Sequence, residues 1–304
     1  MSLCAPVTRM PRWDPRTPFG SDTTAPPGCT PLISPATDAT LLLATLASMT
    51  RLNVFGVLGG TPELVATWQR AAPGRFIAGL DLRFDAITGA ARAATPAGVP
   101  KRYLPIDSVR ALYQAGAFTV LAEVMNQYAG MTPDDPRLEP YWAFAEECDI
   151  PVGIHTGGGP AEPYTGSPAF RARMQSALTV EEVLVRHPKL RLYIMHAGYP
   201  LREDLQAPLF THPHVYVELS MAVNVEARPA FYRFLRELVD AGYSDRIMFG
   251  SDQMVWPGLI DAGIQSIQAA PFLTAGQKRD ILYNNAARFL RLSSAEIARH
   301  HGRR

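Results

Sequence analysis

The hydrophobic residues of this chain form short apolar runs that are separated by longer amphipathic stretches. The runs are rich in Val, Ile, Leu and Phe, which is typical of strands buried on both faces of a sheet. Seven runs predict strands, at residues 53–58, 76–82, 118–124, 151–155, 192–196, 215–219 and 246–250. Stretches with a helical period predict helices, at residues 61–71, 106–115, 137–149, 180–186, 201–209, 229–241, 257–269 and 275–292.

The regular alternation of strand and helix indicates parallel βαβ units. The units recur about every 32 residues, which is the size of one unit of a (β/α)8 barrel. A further helical pattern, ATLLLATLASMTR, precedes the first run, and Thr37 or Asp38 is its predicted N-cap. No G-x-G-x-x-G follows an early strand, so an open dinucleotide-binding sheet is disfavoured. The pattern therefore predicts an α/β fold, a TIM-type (β/α)8 barrel whose first strand is missing.

The first 36 residues have a different character from the rest of the chain. Eight of the 27 prolines fall within the first 35 residues, and no helical period is present there. Proline has no N–H to offer to a central strand ladder, so this segment is not a buried barrel strand. We predict a Pro-rich extended arm at residues 1–36 and a single barrel domain at residues 37–304.

Composition and charge exclude several classes of protein. The 304 residues are 47% apolar and 19% charged, which is typical of a folded domain and not of a disordered chain. With 29 basic and 28 acidic residues, the net charge of +1 offers no field for nucleic acid or an acidic membrane. We expect a small-molecule substrate, no nucleic-acid or membrane partner, and leave a homo-oligomer open.

The N-terminus and the cysteines bear on the cellular compartment. No apolar signal core is present, so the sequence as written predicts a cytoplasmic protein, or a periplasmic or secreted one if an upstream signal peptide is missing. The three cysteines show no C-x-x-C spacing, which argues against a zinc knuckle. Cys148 is predicted to be buried or half-buried. Cys4 and Cys29 lie in the arm, either as a disulfide of an oxidising compartment or as two free thiols.

The candidate chemistry lies at the ends of the predicted strands. His155 ends one strand in PVGIHTGGG, His196 ends the next in LYIMHAGYP, and Asp252 follows the last in IMFGSDQMVWPG. Active sites of barrels lie at the carboxyl ends of their strands, and imidazoles with carboxylates suit a divalent metal such as zinc. Glu123, inside VLAEVMNQY, is either a further metal ligand or the partner of an arginine such as Arg83. For a single histidine at a strand end, a structural role is the alternative.

Several other residues are predicted to contact a substrate. Arg83 is a candidate for binding a substrate carboxylate, with a salt bridge as the alternative. The remaining candidates follow the strands that carry the metal ligands, with loop hydrogen bonds or packing as their alternative roles: Asn126, Tyr128, Gly157, Tyr199 and Trp256. Five other histidines do not end strands, and we expect them to be solvated: His187, His212, His214, His300 and His301.

Four stretches carry a resemblance to a known family: PVGIHTGGG, HPKLRLYIMHAGYP, RIMFGSDQMVWP and YNNAARFLRL. In this order, over roughly residues 37–292, the sequence resembles the amidohydrolase-related family of metal-dependent TIM barrels. That family includes aminocarboxymuconate-semialdehyde decarboxylase-like enzymes and small lactonases. The resemblance implies that His155 is a metal ligand and that His196 binds a second metal or acts on the substrate. It also implies that Asp252 binds metal and accepts a proton from the attacking water.

The sequence departs from the family pattern in one respect. The family opens with an H-x-H pair at the end of its first strand, whereas this sequence has no histidine, and therefore no H-x-H, before His155. One hypothesis is that the chain begins downstream of its natural start. The alternative is a diverged member that has lost its metal pair. A stop codon upstream of Met1, before any strand with H-x-H, would exclude the first hypothesis.

Three functions are compatible with these observations. The first is metal-dependent hydrolysis of an ester, lactone or amide bond in a small, carboxylated molecule, with Zn or Mn as cofactor and with Asp252 and His196 as catalytic residues. The second is metal-dependent, non-oxidative decarboxylation by the same site. The third is an inactive barrel that binds a ligand or a partner.

Overall fold

Seven parallel strands pair in chain order and form one curled sheet. The computed structural model describes residues 39–84, 104–157 and 169–302. The strands are β1 Gly56–Leu58, β2 Phe76–Arg83, β3 Val120–Met125, β4 Val152–Ile154, β5 Leu192–Ile194, β6 Tyr216–Glu218 and β7 Ile247–Met248. All seven predicted strands are confirmed, and the fold is that of a TIM-type barrel. Within the described ranges no eighth strand pairs with β1 or β7, which agrees with the predicted missing first strand.

Helices follow the strands and surround the sheet. They are α1 Ala39–Arg51, α2 Pro62–Ala71, α3 Ile106–Gln114, α4 Glu139–Glu147, α5 Glu181–Arg186, α6 Arg202–Thr211, α7 Ala222–Val225, α8 Arg228–Asp240, α9 Gly258–Gln268, α10 Ala275–Arg279, α11 Asn285–Phe289 and α12 Ser294–His300. The predicted helix at 275–292 is divided, because a π-helical segment at Asp280–Asn284 lies between α10 and α11. The short helices α7 and α12 were not predicted. The predicted arm and the Cys4–Cys29 pair lie outside the described residues.

Local sequence signals account for several helix starts. The Thr61 side chain accepts a hydrogen bond from the backbone N–H of Leu64, and a proline occupies the first turn of α2. Thr274 and Ser293 each begin a helix with a capping box. The side chain of the cap residue accepts from the backbone N–H three positions later, and the side chain at that position accepts from the backbone N–H of the cap residue. None of the described helices is long and apolar enough to cross a membrane.

Alternate residues of the strands point to opposite faces of the sheet. Leu192 and Ile194 of β5 pack in the main core, between the sheet and the helices. Tyr193, between them, packs in a separate cluster on the inner face, and its hydroxyl donates to the carbonyl of Ala122 at 2.7 Å. Gly153 of β4 makes room for this ring, because a Cβ there would lie 2.3 Å from the Tyr193 ring.

Helix α1 joins the first and last parts of the barrel. Met49 of α1 packs in one cluster with Trp68 of α2 and with Ile260 and Ile264 of α9. The Arg51 guanidinium also lies 2.9 Å from the carboxylate of Asp261 in α9. The layer of helices is therefore continuous where the described strands β1 and β7 are not paired.

Two histidines that were predicted to be solvated are buried, so that prediction was wrong for them. The His187 ring nitrogens lie 2.9 Å from Glu139 Oε1 and 3.2 Å from Glu146 Oε2, which ties the residue after α5 to α4. His300 stacks on Phe55, with ring centroids 3.9 Å apart. Both histidines contact elements that are distant in sequence, which the local pattern did not reveal. His214 and His301 are exposed as predicted, whereas His212 is half-buried, and so is Cys148 as predicted.

Candidate metal centre

Three side chains converge at the carboxyl ends of three neighbouring strands. Glu123 belongs to β3, His155 follows β4, and His196 follows β5. Glu123 Oε1 lies 3.6 Å from His155 Nε2 and 4.0 Å from His196 Nε2. One ligand atom from each of the three residues lies within 4.8 Å of the other two. Among the described residues this is the group that can hold a metal ion.

The backbone after β5 places His196 in this group. His196 has a φ of 55° and Ala197 a φ of 50°, so two consecutive residues with side chains adopt the left-handed conformation. Such residues are uncommon and cluster at functional sites. The side chain of His196 is only 1% exposed, so the turn directs the imidazole into the protein interior.

His155 is held by the segment that follows β3. The Gln127 side chain contacts His155 Nδ1, and its Nε2 donates to the His155 carbonyl at 2.8 Å. The Tyr128 hydroxyl lies 3.3 Å from His155 Nε2. Burial, and secondarily the positive potential of His196, lower the pKa of His155 well below its ordinary value. The ring is therefore neutral near pH 7, which is the form that binds a metal.

Acidic side chains outnumber cationic ones around these histidines. Burial raises the pKa of Glu123, of Glu218, of Asp252 and of Asp81, the last to about 7. Asp252 and Asp81 raise the pKa of Glu123 further through charge repulsion. Arg83 lowers the pKa of both Asp81 and Glu123, but a single guanidinium does not balance four carboxylates.

This donor set fits a divalent cation. Two imidazoles and a carboxylate are ligands that zinc and manganese accept. The Oδ1 atom of Asp81 is buried and has no hydrogen-bond partner among the described residues. A cation would offset the negative charge of these carboxylates, whose burial is the main cause of the raised pKa values.

Asp252 lies beside the group and not within it. Its carboxylate is close enough to raise the pKa of Glu123 and of Asp81, but it is not one of the atoms that lie within 4.8 Å of one another. The backbone at Asp252 has a φ of 42°, again in the left-handed region. The ligand role of Asp252 therefore remains a prediction.

The predicted substrate contacts divide into two sets. Arg83 is 8% exposed, and its Nε and Nη1 have no hydrogen-bond partner among the described residues. Tyr128 faces His155 Nε2, as described above. Asn126, in contrast, donates to the carbonyl of Met131 at 2.7 Å, which is a loop hydrogen bond.

The residues after the later strands pack against one another. Gly157 has a φ of 64°, and a Cβ there would lie 2.3 Å from the carbonyl oxygen of Tyr199. Burial and a hydrogen bond to Glu226 raise the pKa of Tyr199 to about 12. The Tyr199 ring packs edge-on against Phe234 at 5.9 Å, so part of its role is structural. Trp256 is half-buried beyond β7, and its backbone N–H donates to the carbonyl of Gln253.

The sequence reasoning missed Glu218 and Ser220. Glu218 is 8% exposed and Ser220 2% exposed, and both lie beside His196. The available signal was a carboxylate inside the apolar run VYVEL, which parallels Glu123 inside VLAEV.

The sequence matches the family model of the amidohydrolases over residues 28–292. The chain belongs to this family. No curated protein matches the sequence.

Solved structures share the fold at low sequence identity. An uncharacterised TIM-barrel protein from Bordetella bronchiseptica is 20% identical, with 81% of each chain covered and a TM-score of 0.60. The 5-carboxyvanillate decarboxylase of Sphingomonas paucimobilis is 16% identical, with 82% of each chain covered and a TM-score of 0.55. A probable 2-pyrone-4,6-dicarboxylic acid hydrolase from Acinetobacter baumannii is 11% identical, with 83% of this chain and 89% of that chain covered and a TM-score of 0.55. At these identities the likeness shows the fold alone.

Proposed function

We propose that this chain is a metal-dependent hydrolase that cleaves an ester, lactone or amide bond of a small, carboxylated molecule. The observation that carries the proposal is the group formed by Glu123, His155 and His196 at the carboxyl ends of the strands. This is the end of a barrel at which active sites lie. Membership of the amidohydrolase family supports an enzymatic role.

The group would hold zinc or manganese through Glu123, His155 and His196, with Asp252 as a further ligand. When bound, a divalent cation supplies Lewis-acid polarisation of a carbonyl oxygen and eases the deprotonation of water. His196 either completes the donor set or orients the substrate carbonyl from its Nε2. Asp252 accepts the proton of the attacking water at its carboxylate and passes it to the leaving group. The raised pKa of Asp252 brings this carboxylate closer to the working pH, as general base catalysis requires.

Arg83 supports the proposal of a carboxylated substrate. A buried guanidinium whose Nε and Nη1 have no described partner can form charge-assisted hydrogen bonds to a carboxylate. The Tyr128 hydroxyl is a neutral donor on the same side as His155 Nε2. Gly157, Tyr199 and Trp256 remain predicted contributors to the pocket wall, and Asn126 to the shape of the loop.

Metal analysis of the purified protein, followed by a substrate screen, tests this function. We expect stoichiometric zinc or manganese, and turnover of lactones or esters in a panel that also contains aromatic carboxylates. His155→Gln should lose the metal, whereas the control His214→Gln, at an exposed histidine, should retain it. Release of CO₂ from an aromatic carboxylate would show that the site catalyses decarboxylation instead of hydrolysis. A folded sample that binds no metal would overturn the proposal in favour of a binding protein.

A further inference from the structure

A chain of hydrogen bonds connects the end of β6 to the ring of His196. His196 Nδ1 lies 2.8 Å from Ser220 Oγ and 3.3 Å from the Ser220 carbonyl oxygen. Ser220 Oγ in turn donates to Glu218 Oε2 at 2.6 Å, and the Ser220 N–H donates to Glu218 Oε1 at 2.7 Å. The same carboxylate accepts from the His196 N–H at 3.5 Å. Glu218 thus contacts both the backbone of His196 and the serine that contacts its ring.

The direction of these hydrogen bonds determines which nitrogen of His196 carries a proton. A backbone carbonyl only accepts, and a hydroxyl that donates its one hydrogen to a carboxylate has only acceptor capacity left. Both groups that face Nδ1 are therefore acceptors, so Nδ1 carries the hydrogen. In the neutral ring this leaves Nε2 without a proton, and Nε2 is the atom that lies 4.0 Å from Glu123 Oε1.

The backbone at Gly250 leaves the space that the Glu218 carboxylate occupies. Gly250, just beyond β7, has no side chain where a Cβ would lie 1.6 Å from Glu218 Oε1. Any other residue at position 250 would displace the carboxylate. Glu218, Ser220 and His196 are all buried, so water does not compete for the hydrogen bonds between them.

We propose that Glu218 and Ser220 are positioning residues that fix the Nδ1–H tautomer of His196 and keep its Nε2 available to the metal group. Residues that hold the second nitrogen of a metal-binding histidine set both its tautomer and its orientation. The part of this inference that concerns metal affinity rests on the proposed function. The tautomer itself does not depend on it.

The first experiment determines the tautomer directly in the metal-free protein. The ¹⁵N chemical shifts of the histidine rings distinguish a protonated from an unprotonated Nδ1, and loss of one set of signals in His196→Gln assigns His196. At a pH at which the ring is neutral, we expect a single Nδ1–H form in the unmodified protein. An Nε2–H form would overturn the inference. This result does not depend on whether variants at Glu218 or Ser220 fold.

The second experiment compares two buried serines. Ser220→Ala removes the hydroxyl that faces His196, and Ser266→Ala removes a fully buried hydroxyl that has no described hydrogen-bond partner. Ser220→Ala should give a mixture of tautomers and raise the zinc dissociation constant by about 10-fold or more, measured by competition with a chromophoric chelator. Ser266→Ala should change neither.

The outcomes separate the two proposals. If the unmodified protein binds neither zinc nor manganese, the proposed function fails, while the tautomer measurement still decides whether Glu218 and Ser220 position His196. If zinc binds and Ser220→Ala leaves both the tautomer and the zinc affinity unchanged, the positioning role is refuted and the proposed function stands.

Discussion

At the scale of single residues, ionisation of Glu123 in the metal group reduces the stability of the metal-free protein. Glu123 lies among other carboxylates, and its burial is the largest cause of its raised pKa. The folded protein therefore holds this proton more tightly than the unfolded chain does. The resulting stabilisation is complete at acid pH and is lost as the pH rises from the ordinary value of the carboxyl through the raised one. Once it is ionised, the site favours unfolding unless a cation neutralises it.

Replacing Glu123 by glutamine should therefore stabilise the metal-free protein while it weakens metal binding. Near pH 8 the free energy of unfolding should rise by roughly 1.4 kcal/mol for each pH unit between the ordinary pKa of Glu123 and its raised pKa. The part of this interval that lies above the pH of the measurement does not contribute. Urea unfolding at pH 5 and pH 8 measures the gain, and zinc titration measures the loss of affinity. The control Glu147→Gln, at a side chain that is 69% exposed, should leave both unchanged. A destabilised E123Q variant would contradict this account of the site.

Replacing Arg83 by methionine tests the predicted carboxylate contact. For a carboxylated substrate found in the screen, KM should rise about 10- to 100-fold, because a charge-assisted hydrogen bond contributes about 1.5–3 kcal/mol. The value of kcat should change much less, and an uncharged ester analogue should lose little. The matched control is Arg110→Met, at a side chain that is 41% exposed. An equal loss for the charged and uncharged substrates would assign Arg83 a structural role instead.

At the scale of elements, His300 connects helix α12 to the strands and helices around it. His300 stacks on Phe55 just before β1, and the Arg75 guanidinium lies 4.4 Å from the centre of the same Phe55 ring. The Tyr283 hydroxyl lies 2.9 Å from His300 Nδ1, and Asn53 Nδ2 donates to the His300 carbonyl at 3.0 Å. The contacts join the end of the described chain to its beginning.

The docking of α12 should weaken in mild acid. Burial lowers the pKa of His300, and the nearby Arg299 adds to the effect, so the unfolded chain binds this proton more readily than the folded protein. Stability contributed by the neutral ring is present at neutral pH and is lost as the pH falls from the ordinary value of about 6.5 through the lowered one. Hydrogen exchange of the α12 amides at pH 7.5 and pH 5.5, corrected for intrinsic exchange rates, measures the effect.

A matched pair of variants isolates His300 as the cause. His300→Phe keeps an aromatic ring against Phe55 and should reduce the pH dependence of α12 protection. His214→Gln, at an exposed histidine outside the α12 contacts, should leave it as in the unmodified protein. Equal pH dependence in all three proteins would show that His300 does not control the docking.

At the scale of the whole molecule, the barrel is held together where its described strands do not meet. Strands β1 and β7 are not paired with each other in the described part of the chain, yet the apolar side of α1 packs against both α2 and α9. Met49 is the buried centre of this contact on α1, with 4% of its surface exposed. The layer of helices therefore supplies a connection that the sheet does not.

Truncating Met49 to alanine should destabilise the whole molecule. The expected cost is about 2–4 kcal/mol, from lost apolar burial and the cavity that remains. On the same helix, Leu43 is 66% exposed, and Leu43→Ala should change the free energy of unfolding by less than about 0.5 kcal/mol. Chemical denaturation of both variants measures the difference. Similar values for the two would show that α1 does not stabilise the described barrel.

Much of this architecture follows from the sequence alone. Strands buried on both faces need continuous apolar runs, so all seven strands and most of the helices could be placed from local patterns. The same reasoning placed His155 and His196 at one end of the barrel, because parallel strands end on the same side of the sheet. Glu123 stood out as a carboxylate inside an apolar run.

Only the tertiary structure decided which polar residues meet. The burial of His187 and His300, and the position of Glu218 and Ser220 beside His196, depend on contacts between elements that are far apart in sequence. The 4.8 Å grouping of Glu123 with the two histidines, with Asp252 beside it, depends on how the strands are staggered and how the loops turn. Local periodicity records which face of an element is apolar and carries no information on these distances. The sequence by itself therefore determined the barrel and the end at which its chemistry lies, whereas the packing of the elements determined the set of side chains that can bind a metal.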